Sequence, residues 1–390
     1  MIKKILTVFF ILLLTSQVYG LVLKPSSGLK EKRFPAEAPS YKADKLLKSR
    51  YYRRLSAFLN DRYPYRSPLI RAKNWVDYYI FSTSPSEKVL IGRDGWLYLH
   101  SGVKSYLRRD CEKKEQAENL ARVLKKMEVK LESAGKKFYF IVAPNKATIY
   151  PEYVGFKVPQ SSCSKSFYEL FLQALEKYPL RGFIRLDRLL LQSKKGSPLY
   201  FRTGTHWNSH GSAIASKAIL ERLSTSEKKF AMPEIKFEPF ETPRDLTMIW
   251  GLDVKEKAEI ASITKRRSKI KTRKLPPLAN GWPRLKLTAT SKRGTPLLPR
   301  TVIYRDSFMT MPLIFIDGAF KEIDALWTRV VPVGAKIDFA VLKDSKIIML
   351  EVVERDLDKL HIRIRALQKA LGDSGRNKNI TLKSALARDS

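Results

Sequence analysis

The sequence predicts an α/β fold in which helices cover both faces of a mostly parallel sheet. Two observations carry this. Short apolar runs of the buried-strand type recur at 138–142, 183–186, 301–304, 327–331 and 347–352. Segments with helical apolar spacing occur at 114–134, 165–177 and 208–223, with further helical material between the later strands. Strands alternating with helices imply crossover units that put helices on both sides of a parallel sheet. At 390 residues the chain is long enough for one large α/β domain or for two or three domains.

The N-terminus reads as an export signal. Lys3 and Lys4 precede an apolar run at 5–14, and the small and polar stretch Thr15-Ser16-Gln17-Val18-Tyr19-Gly20 follows. That order fits a secretory signal peptide. The run is shorter than the ~20 residues a spanning helix needs. Residues 1–20 are therefore read as a signal peptide, with an uncleaved signal anchor as the alternative. Residues 21–85 read as a Pro/Lys/Ser-rich tether and a helical extension. There Leu46, Leu47, Tyr51, Leu55, Phe58 and Leu59 recur at helical spacing until Pro64 and Pro68 interrupt them.

Residues 86–371 read as the main domain. It opens with a hairpin, 89–91 and 96–99, turning at Arg93-Asp94-Gly95. The helix at 114–134 presents Leu120, Val123, Leu124, Met127 and Leu131 on one face. The stretch 225–300 has several prolines and the basic run 265–274, and is read as a partly mobile surface excursion. Residues 372–390 read as a disordered tail.

The charge is unusual. Lys and Arg number 74 against 38 Asp and Glu, a net +36. Such a field favours polyanions: anionic polysaccharide, nucleic acid or an acidic membrane. Export argues against nucleic acid. In an oxidising compartment, Cys111 and Cys163, each just before a predicted helix, are expected to form one disulfide, the alternative being two buried thiols.

Two segments carry chemistry. In Tyr304-Arg305-Asp306-Ser307-Phe308, Ser307 falls at the carboxyl end of a predicted strand, where α/β sheets bind ligands. Its own N–H and those of its neighbours would serve as an oxyanion hole; the competing reading is a turn serine capping a helix. A neutral hydroxyl needs a base. The chain has four histidines, His100, His206, His210 and His361, and His206 lies in a loop before the helix at 208–223. The spacing of His206 and His210 also suits a metal site, but no acidic residue lies between Asp187 and Glu221 to complete one. No metal or cofactor is assigned.

These segments, Thr203-Gly204-Thr205-His206-Trp207-Asn208 and Asp306-Ser307-Phe308, occur in one order with Asp94-Gly95-Trp96-Leu97-Tyr98, with 143–151 (Ala-Pro-Asn-Lys-Ala-Thr-Ile-Tyr-Pro) and with Glu351-Val352-Val353-Glu354-Arg355. Together they resemble the alginate O-acetylases of the AlgJ and AlgX type, over roughly residues 50–360, with a length closer to AlgJ. The resemblance implies a three-layer α/β/α SGNH-hydrolase-like fold with permuted block order, and a periplasmic protein, soluble or tethered to the inner membrane. It implies Ser307 as nucleophile and His206 as general base. Acetyl transfer to an anionic exopolysaccharide would follow, with a membrane-bound O-acyltransferase and other complex members as partners.

One position departs from the pattern. The family usually has Asp two residues before the histidine; here it is Gly204. Asp306 or Asp187 would replace that carboxylate, or a Ser–His dyad would work slowly, or the protein would only bind polymer. An acetyl esterase is a further alternative. Asn145 is placed to face an oxyanion, and Lys146 and Arg202 to bind a uronate carboxylate, against turn and surface-charge roles. Glu354 and Arg355 are expected in a salt bridge or at a helix start, and Trp96 and Trp207 in the core.

Overall fold

The computed structural model describes residues 2–22, 35–39, 49–63, 65–107, 113–155, 165–266, 268–276, 284–291, 296–327 and 340–360. Cys111, Cys163, His361 and the tail 372–390 lie outside these residues. In chain order the elements begin with helices α1 (Ile2–Val22), α2 (Ser49–Arg62) and α3 (Arg66–Trp75) and strands β1 (Val89–Ile91) and β2 (Leu97–Leu99). Helices α4 (His100–Leu107) and α5 (Lys114–Ser133), strand β3 (Lys137–Ala143), helices α6 (Lys146–Ile149) and α7 (Phe167–Lys177) and strand β4 (Phe183–Arg185) follow. Next come α8 (Leu186–Ser193), α9 (Ser209–Leu223), β5 (Glu234–Pro243), α10 (Asp245–Ile249), β6 (Lys255–Lys265), β7 (Ser268–Leu275) and β8 (Arg284–Ser291). The last are β9 (Thr301–Arg305), α11 (Thr310–Ile316), β10 (Glu322–Trp327), α12 (Ala340–Lys343) and β11 (Ile347–Val353).

The chain divides into two compact units, residues 1–91 with 242–256, and residues 92–241 with 257–390. In the first, α3 and the segment after α10 are tied together. Asn74 Nδ2 donates to the Trp250 carbonyl at 2.6 Å, and the Tyr78 ring lies 4.9 Å from that of Trp250. Asp61 at the end of α2 accepts the Ala36 N–H at 2.7 Å. Helix α1 leaves Ile5, Leu6, Phe9 and Phe10 exposed.

The second unit is an α/β domain around a seven-stranded sheet, ordered β4-β3-β11-β9-β10-β8-β7. The first five strands are parallel; β8 runs antiparallel to β10, and β7 to β8. Side chains alternate between faces along each strand. On one face Phe138, Phe140, Val142, Val302, Tyr304, Ile348, Leu350 and Val352 pack against Leu120, Leu124, Met127 and Leu131 of α5 and Phe167 and Phe171 of α7. Each large apolar side chain buried there contributes about 1.5–3 kcal/mol. Ser166 and Glu169 close α7's first turn with a capping box. Helix α8 lies on β3, and α9 and α11 pack together; these belong to the other layer, making the arrangement α/β/α.

Strands β3, β11 and β9 are neighbours, with Val352 opposite Val142 and Leu350 opposite Tyr304. Their carboxyl ends are therefore aligned. Asn145, Glu354 and Ser307 each follow one of these ends.

The strand expected at 327–331 lies, but for Trp327, outside the described residues. Strand β10, at Glu322–Trp327, was not expected. A charge interrupts its apolar pattern: Asp324, fully buried, pairs with Arg284 at 2.7 Å and Arg300 at 2.9 Å. In the stretch 225–300, expected as a partly mobile surface excursion, the described residues largely form strands. Strands β5 and β6 form a two-stranded ribbon, and β7 and β8 extend the central sheet. Most of the basic run lies on β7, where backbone pairing with β8 orders it and its charges project from an edge strand.

Candidate active site

The His206 loop is closed at its base. Tyr200 and Trp207 form an antiparallel bridge, the Phe201 N–H donates to the His206 carbonyl at 3.2 Å, and the Asn208 N–H donates to the Leu199 carbonyl at 2.9 Å. Asn208 then caps α9 by accepting the Gly211 N–H at 3.1 Å. Only glycine fits at 211, because a Cβ there would stand 2.3 Å from the Leu199 carbonyl oxygen. Inside the loop, Lys146 Nζ donates to the carbonyls of Phe201, Arg202 and Gly204, each at 2.9 Å. Its ammonium also faces the rings of Trp96, at 5.1 Å, and Tyr98, at 4.9 Å.

The Ser307 turn is anchored from beneath. The Asp306 N–H donates to Glu351 Oε2 at 2.8 Å. Asp306 Oδ1 accepts the Phe308 N–H at 2.8 Å, and Oδ2 accepts the Val353 N–H at 2.9 Å. Two buried carboxyls thus bind the nucleophile turn to β11. Burial and the neighbouring Asp306 charge hold Glu351 well above the ordinary carboxylate range. Ser307 accepts the Thr310 N–H on its carbonyl at 3.2 Å, which leads into α11.

The two segments meet at the reacting atoms. His206 Nε2 lies 2.8 Å from Ser307 Oγ. With its proton on Nδ1, the imidazole accepts the serine hydroxyl, the geometry a general base needs. Trp207 Nε1 donates to the Phe308 carbonyl at 3.0 Å, and the His206 and Phe308 rings stand 4.8 Å apart. These contacts fix the histidine loop to the serine turn. Trp207 is buried, as expected.

The oxyanion expectation narrows. The N–H groups of Asp306 and Phe308 are both taken by carboxyls, so the neighbouring amides are not available. The Ser307 N–H has no hydrogen-bond partner among the described residues. Asn145 is buried, donates through Nδ2 to Ser105 Oγ at 2.8 Å, and carries Arg355 Nη1 on Oδ1 at 3.4 Å. The Arg355 guanidinium lies 5.3 Å from the Phe308 ring and so joins Asn145 to the serine turn.

Other expected roles change. Lys146 does not stand ready for a uronate: it is buried and its three N–H groups point to three carbonyls. Arg202 is exposed, with Nη1 at 3.4 Å from the Asp94 carbonyl. Neither replacement carboxylate reaches His206. Asp306 is spent on backbone N–H groups, and Asp187 accepts Tyr168 Oη at 2.9 Å and Arg185 Nε at 3.1 Å. His210 pairs with Glu259 at 2.7 Å and stacks on Phe237 at 3.9 Å, away from any shared site with His206. Glu354 opens a short 3₁₀ helix, as expected. It also accepts the Asn145 N–H at 2.8 Å and the Thr148 hydroxyl at 2.7 Å, a role the sequence reading lacked. Glu351 was missed as well; the signal was a lone acid within an apolar strand.

Comparison with known proteins bears on the family. Residues 89–274 match the family model "SGNH hydrolase-like domain, acetyltransferase AlgX". That span contains Asn145 and His206 and stops before Ser307. A probable alginate O-acetylase AlgJ of Pseudomonas syringae pv. tomato is 28% identical over 173 residues, 42% of this chain and 42% of that protein. Its Pseudomonas aeruginosa counterpart is 26% identical over 172 residues, 43% and 40% of the two chains. The match spans about two-fifths of the length of these curated relatives. Among solved structures, the O-acetyltransferase domain of Pseudomonas putida AlgJ aligns at 18% identity and TM-score 0.44, covering 69% of this chain and 92% of that one. Bacillus cereus PatB1 aligns at 12% identity and TM-score 0.48, covering 69% and 96%. Through residues 89–274 the chain is thus similar to the SGNH hydrolase-like acetyltransferase domains of the AlgX type.

Proposed function

We propose that this protein transfers acetyl groups to hydroxyls of an anionic, alginate-like exopolysaccharide through an acetyl-Ser307 intermediate. The observation that carries the reading is the 2.8 Å contact between His206 Nε2 and Ser307 Oγ at the carboxyl ends of a parallel sheet. His206 takes the hydroxyl proton as Oγ attacks the acetyl carbonyl of a donor ester. The oxyanion develops beside the Ser307 N–H. The donor's oxygen leaves with the proton from His206, and Ser307 holds the acetyl group. A sugar hydroxyl then attacks the acetyl carbon, His206 takes its proton, and Ser307 recovers its own.

The N-terminal signal supports a periplasmic setting, soluble or tethered at the inner membrane. An acetyl donor carried across the membrane calls for a membrane-bound O-acyltransferase and other members of a complex. The relatives named as probable alginate O-acetylases support the polysaccharide acceptor. One observation favours a second reading, a polymer-binding protein with impaired turnover: Gly204 stands where the family has Asp, and Asp306 and Asp187 are bonded elsewhere.

The test uses p-nitrophenyl acetate as donor and an oligouronate as acceptor. The wild-type protein is expected to release p-nitrophenol and acetylate the oligosaccharide. Ser307→Ala and His206→Ala are each expected to lose at least about 10³-fold of this rate. Wild-type turnover equal to that of Ser307→Ala would leave the binding reading. Release of acetate with no acetylated sugar would make the protein an esterase.

A further inference from the structure

Beside the serine turn the second unit contains a trough of about 990 Å³. Its inner end is Arg305 and Thr310, which flank Ser307 in sequence, and it extends outward over β8 and β7. One wall is α11, with Leu313 and the exposed Ile314. The sheet supplies Leu285 and Leu287 of β8 and Ile270 of β7. From β9 across β10 and β8 to β7 is three strand spacings, about 14 Å.

The charged groups of the trough are mostly cations. Asp317 is its single acidic lining residue, and it is paired with Arg266. Lys269 is exposed and has no ion-pair partner among the described residues. The basic residues of the lining are Lys265, Arg266, Lys269 and Arg305. At the inner end Arg305 is held in place: it donates to Thr310 Oγ1 at 3.0 Å and to the Asp306 carbonyl at 3.2 Å, and its guanidinium lies 4.8 Å from the Trp327 ring. A guanidinium fixed by stacking is preorganised for a carboxylate.

We propose that this trough is the acceptor channel, and that its occupant is a polyuronate chain. The inference rests on the acetyl-transfer reading of Ser307 and adds where the polymer lies. A uronic acid polymer presents a carboxylate on every residue and apolar C–H faces between them. The first match the cationic rim, and the second the Leu285, Leu287 and Ile314 surfaces. The chain lies across β7 and β8 with a carboxylate near Arg305, and this delivers a sugar hydroxyl to the acetyl-serine. The family pattern around His206 and Ser307 does not specify this surface; β8, antiparallel to β10, and β7, antiparallel to β8, create it.

The experiment is equilibrium titration of the full-length protein with an unacetylated uronic acid hexamer, in parallel with a neutral glucan hexamer. The variants are Lys269→Glu and Thr272→Glu in the trough, and Lys195→Glu on the exposed turn after α8, which changes net charge as much as Lys269→Glu does. Thermal midpoints establish that each is folded. We expect uronate affinity to fall about tenfold in both trough variants and less than twofold in Lys195→Glu, with no measurable glucan binding. Equal losses in Lys269→Glu and Lys195→Glu would overturn the channel, because only the overall field would then be acting. A single-stranded oligonucleotide that binds the trough as tightly as the uronate would overturn the choice of occupant. The titration needs no acetyl donor. Uronate binding without acetyl transfer would therefore sink the transferase reading alone, while transfer without the trough dependence would sink the channel alone.

Discussion

Glu351 lies beneath the nucleophile turn and accepts the N–H of Asp306 at 2.8 Å, so the peptide next to Ser307 is held by a buried side chain of the neighbouring strand. Burial and the charge of Asp306 raise its pKa well above the ordinary range, so it favours the neutral acid. Glu351→Gln keeps the acceptor and the shape without the charge, and is expected to stay within about 1 kcal/mol of wild type at pH 7. Glu351→Ala leaves the Asp306 N–H unpaired beside a cavity and is expected to cost about 2–4 kcal/mol. Urea unfolding of both variants checks this. Equal damage from Gln and Ala would mean that the side chain acts as an anion.

Glu354 gives a pH signature. Desolvation by burial pushes its pKa up to about 6 from 4.5, against the opposing hydrogen bonds from Thr148 and the Asn145 N–H. The folded state thus holds this proton more tightly than the unfolded chain. Its contribution to stability is complete below about pH 4.5 and is lost as pH rises through about 6, about 2 kcal/mol in all. Unfolding free energies of wild type and Glu354→Gln, compared from pH 4.5 to 7.5, should diverge by that amount, with wild type falling relative to the variant. Parallel curves would show that Glu354 titrates normally.

The sequence made the layer order legible because its strands are apolar runs between amphipathic helices. It made Ser307 and His206 legible because both sit in short motifs just past predicted elements, and histidines are few. Strand β10 was not legible because Asp324, neutralised by Arg284 of β8 and by Arg300 just before β9, interrupts its apolar pattern. Strands β7 and β8 read as surface because β7, at the sheet edge and facing solvent, needs no apolar run, and β8 beside it alternates apolar with polar residues. Lys146 read as a ligand-binding cation, since its three carbonyl partners come from a loop more than fifty residues away. Such partners are tertiary facts with no local signature.

Lys146 therefore predicts an indirect effect on catalysis. Lys146→Met removes three hydrogen bonds inside the loop that carries His206 and leaves three carbonyls short of a donor. It is expected to cost about 2–4 kcal/mol of stability. The kcat for p-nitrophenyl acetate should fall more than about tenfold with little change in KM, since the histidine is displaced rather than the substrate lost. Arg202→Ala, on the exposed side of the same loop, should change stability by less than about 0.5 kcal/mol. A kcat untouched in a folded Lys146→Met variant would show that the loop holds His206 without the clamp.

Gly204 predicts a gain. It lies two residues before His206, and the positive-φ glycines are Gly95, Gly135, Gly155 and Gly251, so its backbone accepts a side chain without left-handed strain. Its carbonyl is 2.9 Å from Lys146 Nζ, which would keep a new carboxylate at this residue ionised. In triad enzymes an orienting carboxylate fixes the imidazole tautomer and is worth up to about 10⁴ in kcat. Gly204→Asp puts a carboxylate at the position the resembled pattern uses and should raise kcat for p-nitrophenyl acetate at least about tenfold, and Ser307→Ala in the same background should abolish the gain. A folded Gly204→Asp protein no faster than wild type would mean either that His206 is already oriented by another group or that the site does not turn over. The p-nitrophenol released by wild type over Ser307→Ala separates these two, because only an oriented and active site exceeds that background.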